Sequence, residues 1–397
     1  MRHDVVVVGA GPVGSTLALA LAAGGIEAVV LDGRAAGETP RGDRSLAVSY
    51  GARLILERIG IWDALTAAPD ALTPIVGIDI SQAGGFGQMR IAADEHGIPA
   101  LGYVIRYHAL QAALDVALER RGVTVRHGVE VAGVRGSPEY AAIELRNGAA
   151  APMAAAIESP VEAPIEARLA AVADGTGGTM SAISRQRHDY RQVALIAKLW
   201  RAAPHEGIAF ERFTPDGPMA LLPESDRYGL VWTATPDRAQ ELLALDDSEF
   251  LDRLARHFGT RTGGFSRVAD RRIFPLVLEF AREPARARCV ALGNAAQTLH
   301  PVAGQGFNVG LRDAWELAQI VLDSKRDEIG GEAMLRRYSR SRRTDRMAGI
   351  AFTHGLVRLF GNDLPLVRWP RGLALTLLDS VPAAKRAFTH AMLFGIR

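Results

Sequence analysis

The 397-residue chain contains a single cysteine, Cys289. One cysteine excludes an internal disulfide and a cysteine-ligated metal cluster, and it fits a reducing, cytoplasmic environment. The surrounding run RARCVALGN is typical of a buried strand. We therefore expect an inert core thiol rather than a nucleophile.

Long apolar runs are also missing. No segment approaches the ~20 uninterrupted apolar residues that cross a bilayer. The N-terminal run MRHDVVVVGAG is too short for the apolar region of a signal peptide, and it leads directly into a turn motif. We expect a protein that is soluble or lies on a membrane surface.

The chain has no large excess of charge of either sign. Its formal net charge is +2, and the 23% of charged residues are mixed in sign along the sequence. This excludes the clustered basic face of a nucleic-acid-binding protein. The 48% hydrophobic content is ordinary for a globular protein, and the length predicts two or three lobes or one large mixed domain.

The N-terminal stretch VVVVGAGPVGSTLALALAAGG has the order of a dinucleotide-binding turn. Its β-branched run is typical of a buried parallel strand, and Gly9, Gly11 and Gly14 follow with G-x-G-x-x-G spacing. The first glycine permits a tight turn, the second lets a pyrophosphate approach the backbone, and the third allows close packing of helix and strand. The start of the helix offers free N–H groups to the phosphate.

An acidic residue follows at the expected distance. A second predicted strand ends in Asp32, about 18 residues past Gly14, where a carboxylate meets ribose hydroxyls. A glycine turn alone would be weak evidence, but the turn and the acid together predict a dinucleotide ligand.

Beyond Asp32 the pattern leaves the simple alternation of strand and helix. The predicted elements are helices over residues 45–59, 110–121 and 247–258 and strands over residues 74–80, 123–131, 168–174, 192–200, 208–213, 229–235 and 272–280. Residues 146–148 predict a hairpin turn, and the Ala/Pro-rich stretch up to 164 predicts a surface excursion. We infer two interleaved lobes.

The stretch LGNAAQTLHPVAGQGFNVGLRD, residues 292–313, is rich in glycine and poor in charge. A predicted strand ends at Gly293, so Asn294 is expected at the carboxyl end of a sheet, where ligands bind.

The second half of this stretch predicts a helix that begins near Asn308. Its first N–H groups would stabilise negative charge on a ligand, and the helix dipole contributes about 0.3–1 kcal/mol. Gly304 and Gly306 would let a flat ring approach the backbone. His300 is either a base or a support of the loop. Because no second His, Asp or Cys lies nearby at ligand spacing, we expect no metal.

Three motifs occur in order: GAGPVG at Gly9, ADG at Ala173 and GNAAQTLHPVAGQGFN at Gly293. Together they resemble the single-component FAD-dependent aromatic monooxygenases with the p-hydroxybenzoate hydroxylase fold, over nearly the whole chain. The stretches RSLAVSYGARLILERIGIW, PALGYVI and AFERFTPDGPMALLP are similar to the ubiquinone-biosynthesis hydroxylases. The third motif is most similar to their UbiH type, the 2-polyprenyl-6-methoxyphenol hydroxylases.

The resemblance implies a fold class and a division of the chain. The implied fold class is α/β (α+β overall), with a Rossmann-like FAD-binding lobe interleaved with a β-sheet substrate lobe and a C-terminal helical segment. The implied ranges are 1–70, 101–180 and 281–345 for the FAD-binding lobe, 71–100 and 181–280 for the substrate lobe, and 346–397 for the C-terminal tail.

The resemblance also implies cofactors and site residues. These are FAD and, as a transient co-substrate, NAD(P)H. Asp32 replaces the usual Glu and is one methylene shorter, and TGGTMS after Gly175 departs from the commoner pattern. The residues expected to contact the cofactor are Gly9, Gly11, Pro12, Gly14, Asp32, Arg34, Arg44, Arg106, Gln111, Asp174, Gly293, Asn294, Pro301, Gly304, Gln305, Gly306, Phe307 and Asn308.

The implied reaction is hydroxylation of the aromatic ring of a polyprenylated phenol in ubiquinone biosynthesis. NAD(P)H reduces FAD, O₂ adds to give a flavin hydroperoxide, and its distal oxygen attacks the ring. A phenol with a pKa near ~10 reacts faster as phenolate, but the sequence does not identify the base. His300, Pro301 and Arg212 are candidates, and a structural salt bridge is the alternative role of Arg212.

Other functions remain as alternatives. One is a related flavoprotein that acts on a small soluble aromatic or reduces isoprenoid double bonds. Another is a non-catalytic FAD-binding subunit of a ubiquinone-biosynthesis assembly. Asn294 stands where most relatives carry Asp, and its amide can still bind a ribityl hydroxyl.

The C-terminal tail is basic and apolar. Residues 342–397 hold nine Arg or Lys against three Asp, interleaved with LVRLF, LALTLL and AMLF. Such a segment fits peripheral contact with the inner face of a membrane. A helical cap packed on the FAD-binding lobe is the alternative.

Overall fold

The computed structural model describes residues 2–38, 44–146, 163–180, 183–201, 203–299, 304–360 and 365–396. The helices are α1 (Pro12–Ala23), α2 (Tyr50–Arg58), α3 (Trp62–Ala67), α4 (Tyr107–Arg120), α5 (Pro236–Ala244), α6 (Asp247–Phe258), α7 (Gln305–Leu322), α8 (Glu332–Phe360), α9 (Pro365–Ser380) and α10 (Pro382–Phe394). The strands are β1 (His3–Val8), β2 (Ala28–Asp32), β3 (Ser45–Ser49), β4 (Leu72–Ile75), β5 (Gly77–Gln82), β6 (Gln88–Ala92), β7 (Gly102–Arg106), β8 (Thr124–His127), β9 (Val131–Gly136), β10 (Ala141–Leu145), β11 (Ile165–Val172), β12 (Arg185–Trp200), β13 (Ile208–Thr214), β14 (Gly217–Glu224), β15 (Arg227–Ala234), β16 (Arg267–Ala281), β17 (Ala285–Arg286), β18 (Cys289–Ala291) and β19 (Gln297–Thr298).

The first sheet has the strand order β17-β18-β11-β1-β2-β8, with β10 and β9 branching from β11. Strands β18, β11, β1, β2 and β8 run parallel. Val5 and Val7 pack against the helices α1, α4 and α7, whereas Val6 and Val8 face a second cluster that includes β9 and β10. Because both faces are covered, β1 is apolar at every position over residues 5–8.

The second sheet has the order β19-β16-β12-β15-β14-β13-β5-β6. Helices α5 and α6 cover one face, where Met219, Leu221 and Trp232 pack against Leu242 and Phe250. We call this side the helix-covered face. The opposite side, which we call the cleft face, presents the alternate residues of the same strands: Ile196, Ala209, Glu211, Phe213, Ala220, Leu222 and Val231.

The two large sheets take their strands alternately from the chain. A third sheet has the strand order β3-β7-β4. Its strands β3 and β4 precede β5 and β6 of the second sheet in the chain, and β7 follows them. The mixed α/β architecture with interleaved sheets confirms the predicted fold class.

Several local predictions were wrong or shifted. Residues 45–49 form β3, paired with β7, and the helix begins only at Tyr50, where the hydroxyl of Ser49 accepts a hydrogen bond from the N–H of Ala52 at 3.3 Å. Strand pairing thus overrides local helix propensity. The single strand predicted over residues 74–80 is two strands, β4 and β5.

Two further predictions concern loops and the start of α7. This helix begins at Gln305, earlier than predicted, directly after Gly304, whose left-handed conformation favours glycine. The predicted hairpin turn at 146–148 and most of the Ala/Pro-rich excursion lie outside the described residues.

A buried ion-pair network joins α7 to α8. Asp313 accepts hydrogen bonds from Nε of Arg342 at 2.7 Å and from Nε2 of Gln297 at 2.8 Å. Asp345 accepts from Nη2 of Arg342 at 2.6 Å and from Nε of Arg312 at 2.8 Å. The network places four charged side chains where each has an opposite partner.

The C-terminal tail packs on the rest of the chain. Leu393 of α10 accepts a hydrogen bond through its carbonyl from the hydroxyl of Ser49 at 2.9 Å, and the N–H of Ile396 donates to Asp345 at 3.0 Å. Helix α9 lies against β6. Helix α10 therefore packs as a cap, as one of the two alternatives for the tail predicts, whereas Trp369, Leu373 and Leu377 of α9 are exposed.

Two expectations about single features can be compared directly with the structure. Cys289 is buried in the first sheet, and burial raises the pKa of its thiol to about 12, as expected of an inert core thiol. None of the helices in the described ranges is both long and apolar enough to cross a bilayer.

Candidate active site

The glycine turn between β1 and α1 forms as its spacing predicts. Gly9 has φ +100°, and a Cβ there would lie 2.6 Å from the carbonyl oxygen of Ala173. A Cβ on Gly14 would lie 2.0 Å from the carbonyl oxygen of Gly9, so helix packing requires this glycine. Gly11 differs, because no atom of the described residues lies within 4 Å of its Cβ position. The space beside Gly11 is open to a ligand.

The first turn of α1 presents unpaired donors to this space. Gly11 is the N-cap and Pro12 is the first helical residue, and within the described part of the chain no side chain caps the helix. Free N–H groups and the positive end of the helix dipole suit an anion such as a pyrophosphate.

Asp32 lies at the end of β2 beside the turn. Its Oδ2 accepts hydrogen bonds from the N–H of Ala10 at 2.8 Å and from the Arg34 guanidinium at 3.1 Å. Its Oδ1 accepts one from the N–H of Arg34 at 2.8 Å and can accept another, as a ribose hydroxyl would offer. The structure thus brings Asp32 and Arg34 together.

Gln111 from α4 reaches the same place. Its Nε2 donates to the carbonyl of Ala10 and to Oδ1 of Asp115, both at 2.7 Å. Its Oε1 is buried and has no hydrogen-bond partner among the described residues. A buried acceptor without a donor is unfavourable by about 1–3 kcal/mol, so this oxygen favours a ligand that donates a hydrogen bond.

Arg44 and Arg106 lie at one end of the three-stranded sheet. Ser45 pairs with Arg106 across β3 and β7, and the Arg44 guanidinium lies 3.8 Å from the centre of the Tyr107 ring. Nε of Arg106 is buried, and no described residue accepts a hydrogen bond from it. Both arginines therefore stand at the start of α4, the helix that also carries Gln111.

Asp174 follows β11 and organises its own turn. Its Oδ1 accepts hydrogen bonds from the N–H groups of Gly177 at 2.6 Å and Thr176 at 3.1 Å. Its Oδ2 accepts from the hydroxyls of Thr179 at 2.8 Å and Thr176 at 3.2 Å. The unusual TGGTMS run thus supplies two hydroxyls that hold the carboxylate. Because β11 pairs with β1 in parallel, this turn lies next to the glycine turn.

Gly293 and Asn294 follow β18 at the same edge of the first sheet, since β18 is parallel to β11. Gly293 has φ +56°, and its Cα lies 3.0 Å from where a Cβ on Gly310 would be. Close packing of α7 on this turn therefore explains Gly310. The side chain of Asn294 is exposed at the edge, where ligands of parallel sheets bind.

The start of α7 is open. Gly304 is its N-cap with φ +59°, and a Cβ there would lie 2.9 Å from the Cβ of Ala47. No side chain of the described ranges caps this helix, so its first N–H groups are free. Gly306 and Phe307 lie in the first turn and are half-buried.

Asn308 holds the start of α7 against β3. Its Nδ2 donates to the carbonyls of Gly304 at 2.8 Å and Ala47 at 3.0 Å, and its Oδ1 accepts from the N–H of Ser49 at 2.8 Å. Both amide donors are used within the protein. Asn308 therefore positions the helix, a role that its sequence context did not indicate.

The tail reaches the same region. Nε2 of Gln305 donates to the carbonyl of Met392 at 3.5 Å. The amphipathic pattern of the tail predicted an apolar face but not this partner, because such long-range pairing leaves no local signal.

The three candidates for a catalytic group are placed as follows. His300 and Pro301 lie outside the described residues. Arg212 projects on the helix-covered side, where its Nη1 donates to the hydroxyl of Ser81 at 3.1 Å, and burial together with the charge of Arg261 lowers its pKa. Its neighbour Glu211 points to the cleft face, and strand alternation is the signal that could have identified it.

These features fit a flavin dinucleotide. One edge of the first sheet carries both anion-binding and acceptor groups. They are the first turn of α1, the Asp32 carboxylate and Oε1 of Gln111, which accepts no hydrogen bond from the described residues. The uncapped start of α7 lies against the same edge through Gly293 and Gly310. It offers N–H donors to a flat electron-accepting ring.

Comparison with known proteins supports this assignment. A family model described as FAD binding domain matches residues 2–353. Ubiquinone hydroxylase UbiL of Rhodospirillum rubrum is 33% identical over 403 residues, which cover 98% of this chain and 89% of that protein. The 3-demethoxyubiquinol 3-hydroxylase of Escherichia coli is 28% identical over 397 residues, 96% of each chain.

The fold is shared with solved structures. The crystal structure of p-nitrophenol 4-monooxygenase from Pseudomonas putida superposes with a TM-score of 0.75 at 19% identity, over 100% of this chain and 99% of that one. The predicted family and cofactor are thus confirmed: the chain belongs to the FAD-binding family of aromatic monooxygenases that includes the ubiquinone hydroxylases, and FAD is its cofactor.

Proposed function

We propose that this protein hydroxylates the aromatic ring of a polyprenylated phenol in ubiquinone biosynthesis. O₂ is the oxidant and NAD(P)H the reductant, so that one oxygen atom enters the ring and the other leaves as water. The main structural support is the cleft face of the second sheet, which packs through Ala209 on Val104 of β7, the strand that ends at Arg106. The identity with a ubiquinone hydroxylase over 98% of the chain favours the same class of substrate.

We assign parts of FAD to named groups. The first turn of α1 beside Gly11 would hold the pyrophosphate, Asp32 would bind a ribose hydroxyl, and the start of α7 near Gly304 and Gly306 would hold the flavin ring. Bound FAD would accept electrons from NAD(P)H and activate O₂ for transfer to the ring. The residues of this chain orient the ring and exclude water.

We assign FAD binding and substrate binding to separate lobes, each built around one of the two large sheets. We assign FAD to residues 1–70, 101–180 and 281–345 and the substrate to 71–100 and 181–280. The first range set contains all strands of the first sheet, and the second contains all strands of the second sheet except β19.

The cleft face suits an aromatic ring with an apolar chain. Ile196, Ala220, Leu222 and Val231 project there and are half-buried. A half-buried apolar surface between two lobes binds a phenol ring by area burial, at about 25 cal/mol per Å² removed from water.

We also propose that the tail contacts a lipid bilayer through α9. Trp369, Leu373 and Leu377 are 72%, 52% and 53% exposed and recur every four residues, so they form one stripe. The ring of Phe86 lies 5.1 Å from that of Trp369 and extends the stripe. Scattered exposed apolar residues are normal, whereas a continuous stripe marks an interaction site.

A bilayer is the occupant that matches the substrate, because a polyprenylated phenol partitions into lipid. The charge next to the stripe is neutralised, since Asp379 pairs with Nζ of Lys385 at 3.2 Å. Flotation with vesicles of phosphatidylglycerol and phosphatidylcholine tests this contact. We expect Leu373→Ser with Leu377→Ser to abolish binding, while Val116→Ser, at an exposed apolar residue of α4, retains it. Equal binding by all three proteins would contradict the contact.

The hydroxylation is tested by turnover under ¹⁸O₂. Purified FAD-loaded protein with NAD(P)H and a prenylphenol should oxidise NAD(P)H faster when the phenol is present and should yield a ring-hydroxylated product with one ¹⁸O atom. A product with a reduced isoprenoid double bond would replace the proposal by a reductase. If bound FAD is reduced but neither prenylated nor small soluble phenols give an oxygenated product, the result would favour a non-catalytic subunit.

A further inference from the structure

Glu211 stands alone as an ionisable group in an apolar part of the cleft face. It lies in β13, between β14 and β5. Its neighbours on this face, along the strand and across it, are Ala209, Phe213, Ala220 and Ile80. A carboxyl group at the centre of such a surface is unfavourable unless it has a partner.

The two faces of the sheet differ in burial around this position. On the helix-covered face, Met219 and Leu221 are fully buried against α5 and α6. Between them in sequence, Ala220 retains accessible surface, as do Leu222 and Glu211 itself. The cleft face is therefore packed less tightly at Glu211, Ala220 and Leu222, which are half-buried, than at the buried Ala209 and Phe213.

The space over Glu211 lies beside the FAD-binding lobe. Ala209 packs against Val104 of β7, and Phe213 joins a cluster with Tyr50 and Leu393. The same tail segment is bonded to the start of α7 through Gln305 and Met392. Glu211 thus stands in the gap between two apolar contacts that close the second sheet over the FAD site.

The carboxyl group of Glu211 has no charged partner within the part of the chain that the structure describes. Oε1 of Glu211 is buried, and no described residue forms a hydrogen bond with it. Burial alone raises its pKa to about 8. Among the titratable groups on the helices near this part of the sheet, Asp379 pairs with Lys385, His354 contacts Tyr190, and Arg371 of α9 is buried.

We propose that Glu211 accepts the phenolic proton of the substrate during hydroxylation. This inference rests on the proposed function and names its base. The O–H bond of the phenol breaks, its proton forms an O–H bond with Oε1, and the electron pair stays on the phenolate oxygen, which makes the ring more nucleophilic. After the ring carbon has gained oxygen, its hydrogen leaves as a proton that enters the water formed from the second oxygen atom, and Glu211 returns the phenolic proton to the product.

The acidity of Glu211 suits this transfer. A solvated glutamate has a pKa near ~4.3 and is a weak base toward a phenol of pKa ~10. With a pKa of about 8, Glu211 is a stronger base and can still be ionised in a useful fraction near neutral pH. The apolar surroundings that leave the carboxyl unpaired also keep water from competing with the phenol.

The test compares Glu211→Gln with the wild type at several pH values. In the wild type, kcat/KM for a prenylphenol should rise as pH rises through about 8, because the ionised carboxylate is the active form. Glu211→Gln should lose about 100-fold in kcat and lose this rise. FAD content and the rate of flavin reduction by NAD(P)H should stay within about twofold.

A ring-fluorinated prenylphenol separates proton transfer from positioning. With several fluorines, all on ring carbons other than the one attacked, the hydroxyl is already ionised near neutral pH, and this phenol should restore most of the activity of Glu211→Gln. The matched variant Glu241→Gln, at an exposed glutamate of α5 on the other side of the sheet, should keep the wild-type rate and pH profile. Glu211→Leu serves as a second variant if Glu211→Gln does not fold.

The outcomes are distinct. A wild type that forms no hydroxylated product overturns the proposed function. A productive wild type whose Glu211 variants keep both the rate and the pH profile overturns the assignment of Glu211. A loss of activity that the fluorinated phenol does not restore assigns Glu211 to positioning and overturns its role as a base.

Discussion

A buried ion-pair network and a single buried carboxyl group in this molecule are built in opposite ways. In the network between α7 and α8, Asp313 and Asp345 each contact arginine guanidinium groups at 2.6–2.8 Å. In the cleft, Oε1 of Glu211 is buried without a partner in the described ranges. The paired group fixes two helices and the end of the chain, while the unpaired group borders the space that a substrate would fill.

The two sites should also respond oppositely to pH. Burial raises the pKa of Asp345, but the charges of Arg312 and Arg342 and their hydrogen bonds outweigh it, so its pKa lies below the ordinary value. Its stabilisation is present above the unfolded pKa and is lost as pH falls. Glu211 has a raised pKa, so stability falls as pH rises from the ordinary glutamate pKa of ~4.3 to about 8, because in this range the unfolded chain is ionised and the folded chain keeps its proton.

Removing one member of the paired network should have the largest effect on stability. Asp313→Ala leaves Arg342 and Gln297 without their acceptor in a buried site, and we expect a loss of about 3–5 kcal/mol in the free energy of unfolding. Urea unfolding measures it. Asp323→Ala, which removes an exposed pair with Arg337, should lose no more than about 1 kcal/mol. Equal losses in the free energy of unfolding for the two variants would show that the buried network contributes no more than an exposed ion pair.

Two glycines of the turn between β1 and α1 should differ in what their substitution changes: Gly14 is required for packing, and Gly11 for ligand binding. Gly14→Ala places a methyl group 2.0 Å from a backbone oxygen and should destabilise the protein by about 3 kcal/mol. Gly11→Ala meets open space, so stability without FAD should change by less than about 0.5 kcal/mol, while FAD affinity falls at least about tenfold. Fluorescence titration with FAD and thermal unfolding without it separate the two effects.

Removing the unpaired carboxyl should stabilise the fold. At pH 8, Glu211→Gln should raise the free energy of unfolding by about 2 kcal/mol, allowing for partial access to solvent. At pH 5 the wild-type group is already protonated in the folded state, so the gain should be small. A gain that does not depend on pH would contradict the raised pKa.

The smallest effect is expected at Asn294. Its side chain is exposed at the edge of the first sheet, and both an amide and a carboxylate accept a hydrogen bond from a ribityl hydroxyl. We expect Asn294→Asp to retain FAD, with affinity within about threefold. Loss of bound flavin on purification would refute this account of the position.

The features that the sequence predicts well are those with local causes. The glycine turn follows from its spacing and the buried strands β1 and β2, and α6 begins and ends as its apolar period indicates. Residues 45–49 were wrongly predicted as helix. They form a strand because they pair with β7, which is distant in sequence, so a local pattern does not show the pairing. The contact of the Asn308 amide with the carbonyl of Ala47 joins distant parts of the chain, which a local pattern does not reveal, and the contact of Asn308 with the cofactor stays a prediction.

Glu211 shows the same limit at the candidate site. The run AFERF indicates a strand, but which of Glu211 and Arg212 faces the FAD lobe depends on where α5 and α6 pack, and neither helix is near in sequence. Only the folded chain shows that the carboxyl faces the cleft and the guanidinium lies on the other side.

The most direct measurement is a structure of the FAD-loaded protein with a prenylphenol in the absence of NAD(P)H. The account predicts that the ring lies between the start of α7 and the cleft face, with its hydroxyl oxygen about 2.6–3.2 Å from Oε1 of Glu211. A phenol oxygen bound to another side chain, or a ring outside the cleft, would contradict it.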